Sequence, residues 1–176
     1  MSFDAYRDRS SLDPEKYIFV KYELESTESV RKAAWDLAIG QSVGNPNVRN
    51  NWETDELFEN HCCLITMVDE ENKLAEIAFP VVNTDWENDG IAHLLCQVMG
   101  GQVDIDHIIR SYAVDIEIPE SVLQHFLKPL YGLFGYRMYT GQQQKPLLGG
   151  IVKPKTGLNP NQLLDLVKEM VDGGVD

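Results

Sequence analysis

The chain has 176 residues, 43% of them hydrophobic and 24% charged, and its formal net charge at pH 7 is −13. That length suffices for one well-buried core, or for one core and part of a second. So acidic a surface repels phosphate backbones and anionic headgroups, which argues against nucleic acid and membranes as partners, although a few lysines in one cleft could still attract an anionic small molecule.

No run approaches the roughly 18 consecutive apolar residues of a membrane span. The opening residues, Met-Ser-Phe-Asp-Ala-Tyr-Arg-Asp, lack the cationic start and apolar centre of a signal peptide. A cytoplasmic location is the expectation. Cys62, Cys63 and Cys96 form neither a disulfide framework nor a paired C-x-x-C zinc spacing, so they are expected to be reduced and buried.

In chain order, the aromatic and β-branched residues at 17–24 predict a strand. A helix follows, capped by Ser26 or Thr27, with Val30, Ala33, Ala34 and Leu37 at helical spacing until Gly40. The segment 40–47, Gly-Gln-Ser-Val-Gly-Asn-Pro-Asn, favours turns. Two strands, 61–68 and 74–79, flank a polar connection of hairpin length. A second amphipathic helix built on Ile91, Leu94, Leu95 and Val98 closes at Gly100-Gly101, and residues 111–118 alternate as a strand ending before Pro119. The series βαββαβ is that of a ferredoxin-like domain, an antiparallel sheet with helices on one face.

Beyond Pro119 the pattern predicts a short helix at Val122, Leu123 and Phe126, then a linker of helical turns punctuated by Gly132, Gly135 and Gly141. Residues 147–153 read as a strand. Asn159 and Gln162 form a capping pair with Pro160 at the first helical position, and the helix runs on Leu163, Leu164, Val167, Met170 and Val171 to Gly173-Gly174. Val175-Asp176 resembles the start of another strand. A strand and helix without the next parallel strand make an unfinished crossover, so either a partner supplies the missing surface or, the favoured expectation, the chain is a cut portion of a longer protein.

Two residues apart on a strand, Lys153 and Lys155 share a face about 7 Å apart. Two cations at a strand's carboxyl end suit a phosphorylated ligand, and a desolvated lysine beside a second cation can serve as a base. Two solvated surface lysines are the plainer alternative. Asp104, Asp106 and His107 gather potential metal ligands, but a polar loop after a helix explains them more simply.

The stretch Pro-Leu-Leu-Gly-Gly-Ile-Val-Lys-Pro-Lys-Thr-Gly-Leu-Asn-Pro at 146–160, followed by a helix and Gly-Gly-Val-Asp, is similar to the first βα unit of the RuBisCO large-chain barrel. The upstream βαββαβ order and Asp-Ile-Glu-Ile-Pro at 115–119 resemble that family's amino-terminal domain. The resemblance implies an α+β fold: a ferredoxin-like antiparallel sheet with helices on one face over 1–145, followed by the first βα unit of a truncated (β/α)8 barrel over 146–176. It also implies that Lys153 abstracts a proton from a phosphorylated sugar to form an enediol, that Lys155 helps hold the substrate, and that the intact protein is a head-to-tail homodimer. Magnesium is expected in the full-length parent, bound by residues that this chain does not contain.

Carboxylating members of the family carry Glu-Ser-Ser-Thr-Gly-Thr-Trp after the first helix, completing the partner subunit's site. Here the stretch is Gly-Gln-Ser-Val-Gly-Asn-Pro at 40–46, so Gly40, Asn45 and Pro46 mark a degenerate loop. An asparagine expected after the second helix aligns with Gly101. Glycine offers no side-chain hydrogen bond in place of a carboxylate or an amide, so the pattern is closer to RuBisCO-like proteins, which use enolase or isomerase chemistry on phosphorylated sugars, often in sulfur salvage. The alternatives are a divergent ribulose-bisphosphate carboxylase and a non-catalytic association domain.

Overall fold

The computed structural model describes residues 4–44, 51–126, 131–154 and 156–176. Contacts divide the chain into two units, Met1–Phe126 and Leu127–Asp176.

The first unit is built on strand β1 (Tyr17–Ser26), whose alternation gives it two working faces. Ile18, Val20, Tyr22 and Leu24 point into the main core, while Phe19 turns to the opposite face and joins Leu64 and Ala78. Around it lie α1 (Val30–Gly40), α2 (Asp55–His61), β2 (Leu64–Asp69), β3 (Leu74–Pro80), α3 (Gly90–Met99), β4 (Ile108–Glu117) and the short α4 (Glu120–Leu123). The sheet order is β2-β3-β1-β4 and all three pairings are antiparallel. This is the ferredoxin-like arrangement. Ala33, Ala34, Leu37 and Ala38 of α1 and Leu94 and Val98 of α3 complete the main core. The Tyr22 hydroxyl, buried there, donates to the Val98 carbonyl at 2.8 Å.

Helix α1 starts later than predicted. Ser29 is the N-cap, accepting from the Lys32 amide, whereas the Ser26 hydroxyl accepts from the Glu28 amide and pairs with His107. The Glu70 carboxylate, from the β2–β3 hairpin, accepts from the Val30 and Arg31 amides at 2.9 Å each. A negative group at a helix N-terminus satisfies free N–H groups and complements the dipole. In that hairpin Asp69 accepts from the Asn72 amide and Lys73 takes a left-handed conformation, φ 57°.

Other boundaries moved as well. Residue 61 ends α2 rather than opening a strand, and β4 begins at Ile108, three residues before the predicted start at 111. Cys62 and Cys63 are buried and free, but Cys96 is exposed. The reason is helical phase: Leu94 and Val98 of α3 face the core, so Cys96, with Ile91 and Leu95, lies toward solvent.

The second unit contains α5 (Gly132–Thr140) and α6 (Pro160–Asp172). Where a linker of short helical turns was expected, α5 forms one nine-residue helix closed by Gly141 in the left-handed region, φ 72°. Helix α6 has the predicted Asn159–Gln162 capping box with Pro160 at its start. None of the described residues in this unit is buried.

The predicted strand at 147–153 is a correction. The peptide is not in a helix or a hairpin, and it belongs to no ladder. A strand is defined by its neighbours, and here the pairing is confined to the far end of the chain. Asp176 N–H donates to the Leu148 carbonyl at 3.0 Å, and Leu148 N–H donates to the Asp176 carboxylate at 3.0 Å. Gly150 permits close packing: a β-carbon there would lie 2.3 Å from Met170 Cε and 3.3 Å from Val175 Cγ1. Segment, helix and returning chain thus close on one another locally.

Candidate functional site

Two regions carry candidate chemistry. The first is a cleft of about 570 Å³ in the first unit, between the two ends of α1 and the 3-10 turn Gly101–Asp104 that follows α3. Gly40 and Gly101, 61 positions apart in the chain, both line it. The structure therefore brings together the two described positions at which the family resemblance places partner-site side chains. Asn45 and Pro46 lie outside the described residues.

The wall of this cleft is a chain of polar contacts that the sequence did not disclose. Asp36, only 4% exposed, is the acceptor. Lys32, one turn earlier on α1, donates to its carboxylate, and His107 Nε2 lies 2.6 Å from Asp36 Oδ2. An ionised carboxylate can only accept, so Nε2 carries the hydrogen. On the far side of the ring, Nδ1 lies 2.9 Å from Ser26 Oγ. A buried carboxylate is tolerated only when paired and hydrogen-bonded, and this network links α1, β1 and the loop before β4. His107 thus pairs with a residue 71 positions away rather than joining Asp104 and Asp106 as a ligand set. Among the described residues no group of three or more His, Cys, Asp or Glu could hold a metal ion.

The glycines differ in what surrounds them. A β-carbon at Gly40 would meet nothing within 4 Å, whereas one at Gly101 would collide with the side chain of Gln41. Glu28, Asp104 and Asp106 also line the cleft and make its rim acidic.

The second region is the peptide running into α6. Lys153 is exposed, and its bond to Pro154 is cis. Lys155 lies outside the described residues. Among the described residues no helix is long and apolar enough to cross a membrane.

No family profile matches the chain. An uncharacterised ribulose bisphosphate carboxylase-like protein of Bordetella bronchiseptica is 27% identical over 171 residues, covering 88% of this chain and 40% of that protein. A 3-oxo-isoapionate-4-phosphate decarboxylase of Rhizobium rhizogenes is 30% identical over 99% of this chain and 39% of its own length. A 2,3-diketo-5-methylthiopentyl-1-phosphate enolase of Microcystis aeruginosa is 30% identical over 90% of this chain and 39% of its own. Among solved structures, the RuBisCO of Pyrococcus horikoshii OT3 superposes with a TM-score of 0.73 at 22% identity, covering 98% of this chain and 40% of that one.

Fold and relatives together define the class: the chain is a homologue of the RuBisCO large-chain family, with the fold of that family's amino-terminal domain and the opening of its barrel. Within that class it is a relative of the RuBisCO-like proteins. It spans about two-fifths of the length of the curated relatives it matches.

Proposed function

We propose that the intact protein is a RuBisCO-like enzyme that enolises a phosphorylated sugar, with Lys153 as the proton-abstracting base and Lys155 as a substrate-holding cation. The observation that carries the reading is the peptide 149–160. Lys153 lies in the segment before α6, whose Gly150 packs against Met170 and Val175, in a sequence similar to the family's first βα unit. An amine acts as a base only when neutral, and removal from water beside a second cation favours that form. Lys153 is exposed in this chain. In the intact protein the covering surface comes from a partner subunit, whose residues 1–145 close over the barrel that begins at 146 in a head-to-tail homodimer. Magnesium is held by residues outside this chain, and no step here is routed through it. The chain by itself is expected to be inactive.

A second reading has support in the Rhizobium rhizogenes relative. Loss of carbon dioxide from a 3-oxo acid and loss of a proton beside a carbonyl both leave an enolate, so one site could serve either reaction.

The test uses the full-length protein with 2,3-diketo-5-methylthiopentyl-1-phosphate, following the enol by its absorbance. Lys153→Ala is expected to lower kcat by about 10²- to 10⁴-fold, the range for a general base. Unchanged turnover in that variant would remove Lys153 from the chemistry. Incorporation of labelled carbon dioxide into ribulose 1,5-bisphosphate would replace this reading with the carboxylase. Release of carbon dioxide from 3-oxo-isoapionate 4-phosphate would establish the decarboxylase.

A further inference from the structure

The sheet has two edges, and the chain treats them differently. On β2, Ile65 N–H donates to the Ala5 carbonyl at 2.8 Å and the Ile65 carbonyl accepts from Arg7 N–H at 3.0 Å. Residues 5–7 thus cap that edge, with a parallel bridge at Tyr6. On the other side β4 pairs with β1 alone, and among the described residues nothing hydrogen-bonds along its outer edge. An open strand presents a row of unpaired N–H and C=O groups, which proteins guard with lysine, proline, bulges or a short strand. Strand β4 runs for ten residues without a lysine or a proline. Its one guard is a pair of register shifts against β1, and the residues they leave out are Ile109 and Val114. Both are apolar and, like Tyr112, more than half exposed, so the shifts widen an apolar strip instead of charging it.

The charges on this strand are arranged to suit its own reversal. Phe19 lies on the face away from the main core, so Lys21, Glu23 and Glu25 of β1 share that face, and so do their cross-strand partners on β4, Asp115, Tyr112 and Arg110. An antiparallel copy of β4, turned about a two-fold axis at Tyr112, sets Tyr112 beside its counterpart and Ser111 beside Ala113. With Val114 again passed over, Arg110 then stands opposite Asp115 of the second copy, once on each side of the axis. Arg110 is already held over the Tyr112 ring, 5.5 Å from its centre, and 2.9 Å from Glu23. Asp115 has no ion pair with another described residue.

We propose that the outer edge of β4 is a self-association surface, on which a second copy of this chain adds its own β4 antiparallel about an axis at Tyr112, joining the two sheets into one. Main-chain hydrogen bonds supply the attraction, and the paired Arg110 and Asp115 fix the register. The contact is distinct from the head-to-tail dimer proposed above and assumes nothing about the reaction.

The experiments use the 176-residue chain, in which residues 4–126 bury a core of their own. Sedimentation equilibrium at roughly 0.15 M salt, which screens the mutual repulsion of two acidic copies, should show a monomer–dimer equilibrium. Arg110→Glu and Asp115→Arg should each weaken it on the order of tenfold or more, because each sets like charges opposite one another twice. A mixture of the two variants should recover the wild-type affinity as a heterodimer, since both pairs are then of opposite sign. Register is read by oxidative cross-linking in a Cys96→Ser background. Tyr112→Cys, on the axis, should form a disulfide-linked dimer on the order of tenfold faster than Val103→Cys, which replaces a residue 83% exposed but off the strand. A monomer at every concentration would overturn the proposal, as would a dimer indifferent to the charge changes, the result expected of head-to-tail association alone. Should the charge variants fail to fold, the cross-link decides: equal rates at positions 112 and 103 refute the β4 contact.

Discussion

Residues 4–126 and 131–176 solve the problem of stability differently. Among the described residues the first region buries twenty-five hydrophobic side chains, whereas none of the second is buried. What the second has instead is local: a capping box, a proline at N1 and a glycine that lets one helix lie on its preceding segment. Caps and propensity define where a helix begins, but tertiary burial supplies most helical stability in a protein. The apolar residues of α6 are therefore an unmet demand, with Leu164 and Val171 more than half exposed. The contrast is that between a layer closed on its own core and described residues whose apolar side chains stay open to solvent.

The largest effect should come from the first region's core. Tyr22 is fully buried and central, and Tyr22→Ala is expected to cost about 3–5 kcal/mol; chemical denaturation followed by tryptophan fluorescence measures it. Val167→Ala on α6, where the residue is 38% exposed, should change the stability of this chain by less than about 0.5 kcal/mol. Its cost should rise well above that in the full-length protein. Equal costs in both contexts would erase the distinction between the two regions.

Asp36→Ala comes next. It leaves His107 Nε2 and the Lys32 ammonium without their acceptor, and a loss of about 2–4 kcal/mol is expected for a buried, charge-assisted contact with one partly exposed partner. Hydrogen exchange should report loosening where α1 meets the loop before β4, with the amides of α6 unaffected.

The smallest effect concerns the thiols. Burial pushes the Cys62 thiol up from 9.0 to about 12, with the Ser42 hydroxyl pulling weakly the other way, and burial raises Cys63 as well. The folded protein therefore holds these protons more tightly than the unfolded chain does. The corresponding stability is fully present below pH 9.0 and is lost as the pH rises towards about 12. Thermal melts should decline over that window, less so when both cysteines are replaced by alanine and the comparison is made within each variant. At pH 8 a thiol reagent should label Cys96 rapidly and spare the other two in the folded protein. Fast labelling of three thiols would contradict the burial of residues 62 and 63.

Much of the first region was legible because its signals are periodic. β1 and β3 stood out by composition, and α1 and α3 by spacing and glycine stops. What escaped were features fixed by partners. Helix α2 carries only Leu57 and Phe58 as apolar residues, too few for a period, although Thr54 followed by Asp55 and Glu56 was a readable start. Ser26, Thr27 and Ser29 are all capping residues, and only the demand of His107 and the Glu28 amide on Ser26 decides among them. Extended residues at 147–153 were visible, but a ladder needs neighbours. At the cleft, sequence reasoning singled out Gly40 and Gly101 through the family resemblance, yet their convergence depends on the fold. The Lys32–Asp36 pair stands at i,i+4 on α1 and was open to a reading of spacing, but the meeting of Gln41 with Gly101 and of Asp36 with His107 left no mark there, because contacts between residues 60 or more positions apart follow from chain topology rather than periodicity.

One further consequence follows from the amino-terminal turns. The Arg9 guanidinium sits 4.1 Å from the centre of the Phe19 ring and reaches Glu76 on β3 at 2.5 Å and Glu117 on β4 at 2.6 Å. One cation thus fastens β3 and β4 to β1, the strand that lies between them, on the face away from the main core, and shields an aromatic ring as it does so. Proteolytic trimming that removed this residue would strip off that clasp, baring a greasy spot beside two unneutralised acids.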